Sequence, residues 1–345
     1  MKNPRVSGSR RMGIVALTAV AALLAACGGG ASTSGSDGPV QLGFAAYGLD
    51  TAFLSTLSTK VQDAGRAAGA TVNVSTADGD ASKQANDVNT LVSAGARGVL
   101  IDPVDADAIV PAITRADAQG AKVVAIDGSA AGGPLAIQVA TDNYGAGQAA
   151  CQVIGDQLGG TGTVLNLQGT LTNQAGRNRS DGFTECMAAN YPQITVVSNA
   201  FNFDAALCSQ LAQTQLSTAQ IDGVFAAAAQ CLGPVTSVLQ STGRLVLAGQ
   251  PGHVPFVTID GTPEELQAVR EGTLTASIAQ PLQEMSEIGV YWLLRAINDQ
   301  PIAAGPTEHG TTVVEVDGTL RDLLAPVVVT RDNVDDPALW ANAPQ

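Results

Sequence analysis

Four polar residues of this chain stand where side chains can converge on a ligand. Asp127 follows the apolar run Val123 to Ile126, Asp260 follows Val257 to Ile259, Gln280 follows Thr275 to Ala279, and Arg177 opens the segment Arg177 to Phe183. A carboxylate accepts two hydrogen bonds at once and an arginine donates a planar fork. The set suits adjacent hydroxyls, which must keep their hydrogen bonds when buried. Asp127 and Asp260 could instead work as an acid and a base, the pairing that glycoside hydrolysis uses. Nothing else favours catalysis, because the chain has no GxSxG elbow, Walker loop or HExxH motif. Gly145 to Gly147 follow no strand and lack the third glycine of a dinucleotide fingerprint, while Asp78, Gly79 and Asp80 lack the acidic residue that closes a calcium loop. No cofactor or metal is expected. Each residue also has a plainer reading: an aspartate after a strand caps helices and forms turns, and an arginine can be an exposed helix residue.

The elements that must carry these residues alternate regularly. Val40 to Ala45 reads as a buried strand, and Leu54, Leu57, Val61, Ala64 and Ala68 then recur at helical spacing. Strands at Thr71 to Ser75, Gly98 to Ile101 and Val123 to Ile126 alternate with helices marked by Ala85, Val88, Leu91 and Val92 and by Ile109, Ile113 and Ala116. After Ile137 to Ala140 the alternation restarts, with strands at Gly162 to Leu167, Ile194 to Ser198, Gly223 to Ala226 and Val257 to Ile259. Helices near Tyr144 to Leu158, Gly176 to Asn190, Asp204 to Leu216 and Pro234 to Ser241 separate them. A strand at Thr275 to Ala279, a helix at Glu284 to Asn298 and strands at Thr311 to Val316 and Pro326 to Thr330 complete the chain. This pattern predicts two doubly wound parallel α/β sheets with a cleft between them. Ligands in such sheets sit beyond the carboxyl ends of the strands, where Asp127, Asp260 and Gln280 fall.

Composition sets the compartment. Lys2, Arg5, Arg10 and Arg11 precede an apolar run from Gly13 to Ala26, the pattern of a signal peptide over residues 1–26. The run is too short for a permanent span, which needs about 20 residues. Leu24-Ala25-Ala26-Cys27 resembles a bacterial lipobox, so Cys27 is the expected lipidation site and the Gly/Ser-rich residues 27–38 a flexible tether. An ordinary signal peptide is the alternative, and Arg10-Arg11 leaves the export route open. Removing the leader leaves 13 basic against 31 acidic residues, a charge of −18 that repels nucleic acid. Cys151, Cys186, Cys208 and Cys231 are an even set in an oxidising compartment, open to three connectivities or to four reduced thiols. We favour Cys151 with Cys186 and Cys208 with Cys231, whose loops would each contribute about 3 to 4 kcal/mol through the unfolded state. No CxxC spacing supports zinc.

Seven segments in order carry a family resemblance. They are Ile101-Asp102-Pro103, Ala125-Ile126-Asp127, Thr141-Asp142-Asn143, Leu167-Gln168-Gly169, Arg177 to Phe183, Ile259 to Pro263 and Ser277 to Gln280. Together they resemble the ribose-binding-protein group of periplasmic binding proteins over residues 40–330. The resemblance implies the type I fold, with two Rossmann-like domains joined by three crossings near Thr141, Gln280 and Glu315. It would divide the chain into residues 39–141 with 281–315, residues 142–280 with 316–335, and a tail at 336–345. It implies ligand contacts for Phe53, Asp127, Arg177, Phe203, Asp260 and Gln280, and places Tyr47 in a loop where the family has such rings. Aromatic rings would cover the apolar face of a sugar.

The chain also departs from the group. Ala227 to Gln230 replace an Asn-Asp pair, so Gln230 is the candidate substitute contact. Gly128 stands where ribose binders carry Arg and Thr51 where they carry Asn, while Gln250 to Phe256 add a loop expected near the cleft. A ribose ligand is therefore not the expectation. What remains is a monomeric, lipid-anchored binding protein, not an enzyme, that hands a sugar or polyol to an ABC permease. A role in feeding a chemoreceptor or sensor kinase is the alternative.

Overall fold

A computed structural model describes residues 38–218 and 220–343. The leader, Cys27 and all of the tether except Gly38 lie outside these residues. The chain runs β1 (Val40–Ala46), α1 (Ala52–Ala67), β2 (Ala70–Thr76), α2 (Ala81–Ser93), β3 (Gly98–Ile101), α3 (Val110–Ala118), β4 (Lys122–Ile126) and β5 (Ile137–Thr141). It continues through α4 (Asn143–Gln157), β6 (Thr161–Gln168), α5 (Gln174–Asn190), β7 (Gln193–Ala200), α6 (Ala205–Thr218), β8 (Gly223–Ala226) and α7 (Leu232–Ser241). Then come β9 (Phe256–Asp260), α8 (Pro263–Glu271), β10 (Ala276–Ala279), α9 (Leu282–Ile297), β11 (Gly305–Pro306), β12 (Thr312–Val316), β13 (Thr319–Leu324) and β14 (Val327–Val329).

Two sheets result, and they are wound alike. The first has the order β11-β12-β13-β5-β4-β3-β1-β2 and the second β14-β10-β9-β8-β6-β7. Their parallel cores, β2-β1-β3-β4-β5 and β7-β6-β8-β9-β10, each reverse direction of winding beside the first strand. Such switch points open the crevice that ligands use. The strands β3, β5, β8, β9 and β10 are buried at every position, because helices cover both faces. One face of the first sheet packs on α1 and α9 through Leu57, Val61, Met285 and Leu293, and the other on α2 and α3 through Val88, Leu91 and Ile113. The second sheet has its own core around Phe183, Phe225 and Phe256. Helix α9 thus returns to the first lobe.

Sequence reasoning placed the third crossing near Glu315, but β13 pairs in parallel with β5, from Arg321 opposite Gln138 to Leu324 opposite Thr141. The chain leaves the first sheet after Leu324. This strand hid because one of its two buried positions, beside Leu324, is the charged Asp322, whose carboxylate accepts from the Trp292 indole N–H at 2.8 Å and meets His309 Nε2 at 2.8 Å. The sheets are also mixed rather than purely parallel: β11, β12 and β13 run antiparallel in sequence, and β14 runs antiparallel to β10. Helix α8, which apolar periodicity does not mark, starts at a reciprocal capping box of Thr262 and Glu265 with Pro263 in its first turn. The extra loop at Gln250 to Phe256 precedes β9 and so lies at the amino ends of the strands, away from the cleft; His253 there bonds Val246 O and Thr275 Oγ1.

Both favoured disulfides are present. Cys151–Cys186 ties α4 to α5, and Cys208–Cys231 ties α6 to the turn before α7. Helices α4 and α5 also cross closely, since a Cβ on Gly147 would lie 2.2 Å from Arg179 O and one on Gly182 2.1 Å from Tyr144 O.

Candidate functional site

The carboxyl ends of both sheets face one cavity with about 540 Å³ of space not filled by atoms, part of it open to solvent. Tyr47, Phe53, Asp102 and Asp127 reach it from the first lobe, and Arg179, Phe203, Gln230 and Asp260 from the second. Gln280 lines it from the crossing between β10 and α9. Seven of the eight residues expected to bind ligand therefore meet here. Arg177 does not.

Arg177 is exposed, and its Nη1 donates to Leu171 O at 3.3 Å. Two residues along a helix turn the side chain through about 200°. The buried face of α5 carries Ala175, Arg179, Phe183 and Met187, so the arginine that faces the cavity is Arg179, 3% exposed. The i, i+4 spacing of Ala175, Phe183 and Met187 already marked that face in the sequence. Asp102 was also missed as a site residue, although it follows β3 directly at the switch point, as Asp127 follows β4.

Arg179 belongs to a closed ring of contacts. Its Nε donates to Asn143 Oδ1 at 2.7 Å, its Nη1 donates to Ala227 O at 2.8 Å, and Nη1 lies 3.8 Å from Asp260 Oδ1. Asp260 Oδ1 accepts from Gln280 Nε2 at 2.9 Å, and its Oδ2 accepts from the Ala229 amide at 3.0 Å. The Thr141 hydroxyl donates to Gln280 Oε1 at 2.8 Å, and Asn143 Nδ2 returns to Thr141 O at 3.1 Å. Thr141 and Gln280 stand at two of the crossings. The ring thus ties the polar floor of the cavity to the segments that join the lobes.

Behind this floor lies Trp340, in the segment expected to be a tail. Its indole N–H donates to Asp260 O at 3.0 Å, and its ring meets Phe53 edge-on at 6.4 Å. Phe203 packs edge-on against Phe201 at 5.8 Å. Its φ is +60°, and Asp127 and Asp260 have φ of +62° and +138°. Bulky residues seldom adopt such backbone, and strain of this kind gathers at functional sites.

The cavity's acids are held against ionisation. Burial pushes Asp127 up to about 6, with the Arg179 charge opposing and the Asp260 charge adding to it. Asp102 is raised well above the usual carboxylate range by burial and then by the Asp127 charge. Asp260 is raised by burial, against which Arg179, the Ala229 amide and Gln280 act. Burial and the Asp260 charge push Glu265, beneath it, to about 8. Tyr47 is raised by burial, then by Asp102 and Asp50. Asp102 Oδ2, Asp127 Oδ1 and Gln230 Oε1 are buried acceptors without a partner. Such atoms cost about 1 to 3 kcal/mol each until something donates to them.

Twin doubly wound lobes around a polar, aromatic-walled cavity define a two-lobed type I solute-binding protein. Comparison with known proteins carries this to the family: the profile of the periplasmic binding protein domain matches residues 42–301, and the chain belongs to that family. Among relatives, the ribose import binding protein of Bacillus subtilis is 29% identical over 249 residues, covering 72% of this chain and 79% of its own. A xylitol-binding protein of Mycolicibacterium smegmatis is 29% identical over 270 residues, covering 77% of this chain and 74% of its own. A solved ABC transporter solute-binding protein from Mycobacterium smegmatis with bound glycerol superposes with a TM-score of 0.75 at 22% identity, covering 86% of this chain and 96% of its own. The chain is a ribose-binding-protein-like member of the ABC-transporter binding proteins. These relatives bind solutes and are not enzymes.

Proposed function

We propose that this protein is an exported, monomeric binding lipoprotein that closes its two lobes around a sugar or polyol and delivers it to an ABC importer. The observation that carries the reading is the ring of hydrogen bonds through Thr141, Gln280, Asp260, Asn143 and Arg179, closed by the Arg179–Asp260 ion pair and set beside buried acceptors that lack donors. Hydroxyls of a small polyol would donate to Asp127, Asp102 and Gln230 and accept from Arg179. Phe53, Phe203 and Tyr47 would cover its carbon face. The names of the relatives, ribose import and xylitol binding, support the same ligand class. Because contacts come from both lobes, binding would favour a closed form; moving a population from 1:99 to 99:1 takes about 5.5 kcal/mol.

Thermal-shift and calorimetric screening of the purified chain against pentoses, hexoses, polyols and inositols tests the ligand class. Saturable binding of at least one, with a smaller radius of gyration in solution scattering, is expected; no binding across all four classes removes the reading. Export and anchoring rest on Cys27, and Cys27→Ser should release the protein from the membrane fraction or block its processing. Equal partitioning of both forms would count against the anchor.

A further inference from the structure

The first-lobe wall of the cavity places two carboxyl groups together with no cation of its own. Asp102 is 2% exposed, and its Oδ2 has no hydrogen-bond partner. Asp127 Oδ1 is likewise buried and unpartnered. The ionisable groups around the pair are the Tyr47 phenol on the same lobe and Arg179 and Asp260 on the other. Arg179, the one cation among the cavity-lining residues, is already engaged by Asn143, Ala227 and Asp260. Gly128 lies close against the Asp102 carboxyl, because a Cβ there would lie 3.0 Å from Asp102 Oδ1 and 2.9 Å from Pro103 Cδ.

Two orphaned carboxylate oxygens on one wall need donors, and their shared charge needs compensation. A hydroxyl brings a single hydrogen and no charge, so one of the two carboxyls must then keep a proton. A protonated amine brings up to three hydrogens and one positive charge, and satisfies both groups.

We infer that the first lobe selects an amine, so that the preferred ligand is a sugar or polyol in which one ammonium group replaces a hydroxyl and lies between Asp102 and Asp127. The inference rests on the sugar or polyol reading above and narrows it. The raised ionisation of Asp102 and Asp127 fits the same picture, since a bound cation would draw both to the charged state and expel the proton that the empty pair retains.

The test is calorimetry near pH 7 with matched pairs of probes: D-glucosamine against D-glucose, D-galactosamine against D-galactose, and glucamine against sorbitol. The amine of the best-bound pair is expected to bind at least about tenfold more tightly than its hydroxyl partner. Asp102→Asn should cut the ratio of amine to hydroxyl affinity at least about tenfold, whatever it does to the hydroxyl partner's own affinity. A second readout uses the unaltered protein: amine binding measured in buffers of different ionisation enthalpy should report release of about one proton, and hydroxyl binding none. Equal or tighter binding of the hydroxyl members, or amine binding without proton release, overturns the amine inference and leaves the sugar reading intact. Binding of neither series overturns both.

Discussion

The two lobes share a winding order but meet the cavity differently. In the second lobe both charged groups that line the cavity are already engaged, and of its buried lining acceptors only Gln230 Oε1 lacks a donor: Arg179 holds Asn143, Ala227 O and Asp260, and Asp260 holds Gln280 and the Ala229 amide. Two disulfides brace the helices behind them. The first lobe has no cysteine among its described residues, and it offers Asp102 and Asp127 with orphaned oxygens. One half of the site is therefore a finished framework, and the other is held in wait for donors. Preorganisation of one half lowers the ordering cost of binding, while unsatisfied acceptors in the other make affinity depend on what the ligand brings.

The largest expected effect strikes the finished half. Arg179→Ala leaves the buried Asp260 carboxylate without its cation and Asn143 Oδ1 and Ala227 O without their donor, and should cost about 3 to 5 kcal/mol of stability. Its effect on the affinity of any ligand found should be about 30-fold to 1000-fold, read by denaturant unfolding and calorimetry. A variant that melts and binds like the parent would show that the two halves do not differ in this way.

Cys151→Ser with Cys186→Ser should cost about 3 to 4 kcal/mol. Hydrogen exchange should quicken in α4 and α5 before it does in β1 to β5. Uniform loss of protection across both sheets would mean that the disulfide steadies the whole molecule rather than one lobe.

The waiting half should announce itself by pH. An unfolded aspartate titrates near 3.9, and Asp127 is pushed up to about 6 in the fold. The folded chain keeps a proton there that the unfolded chain has released, so this group's contribution to stability falls as pH rises from about 4 to about 6, by up to about 3 kcal/mol. Asp127→Asn should therefore gain stability over the parent progressively across that window, without ligand. A gap between the two proteins that does not change with pH would place Asp127 among ordinary carboxylates.

The smallest effect is expected at the arginine that sequence spacing first proposed. Arg177→Ala removes an exposed side chain and should change stability by no more than about 0.5 kcal/mol. Binding should be unchanged, and a loss comparable to that of Arg179→Ala would reverse the assignment of the two residues.

The sequence alone determined much of this protein. Apolar runs alternating with helical periodicity, with the central strands buried on both faces, leave a doubly wound pair of sheets as the economical arrangement, and Asp127, Asp260 and Gln280 at strand ends then fall beside a common crevice. Those features are local, and period and punctuation reveal them. Tertiary structure decided what local pattern could not hold. It chose Arg179 over Arg177, because the helix buries the face that Ala175, Phe183 and Met187 mark, and packing shows that this face turns toward the cavity. It moved the third crossing beyond Leu324, because β13 buries Asp322 against Trp292 and His309 where a pattern reader expects an apolar residue. It drew Trp340 from the expected tail to the back of Asp260, and brought Asp102 beside Asp127. Contacts between residues tens of positions apart leave no period in the chain, so only the folded arrangement of the two lobes settles them.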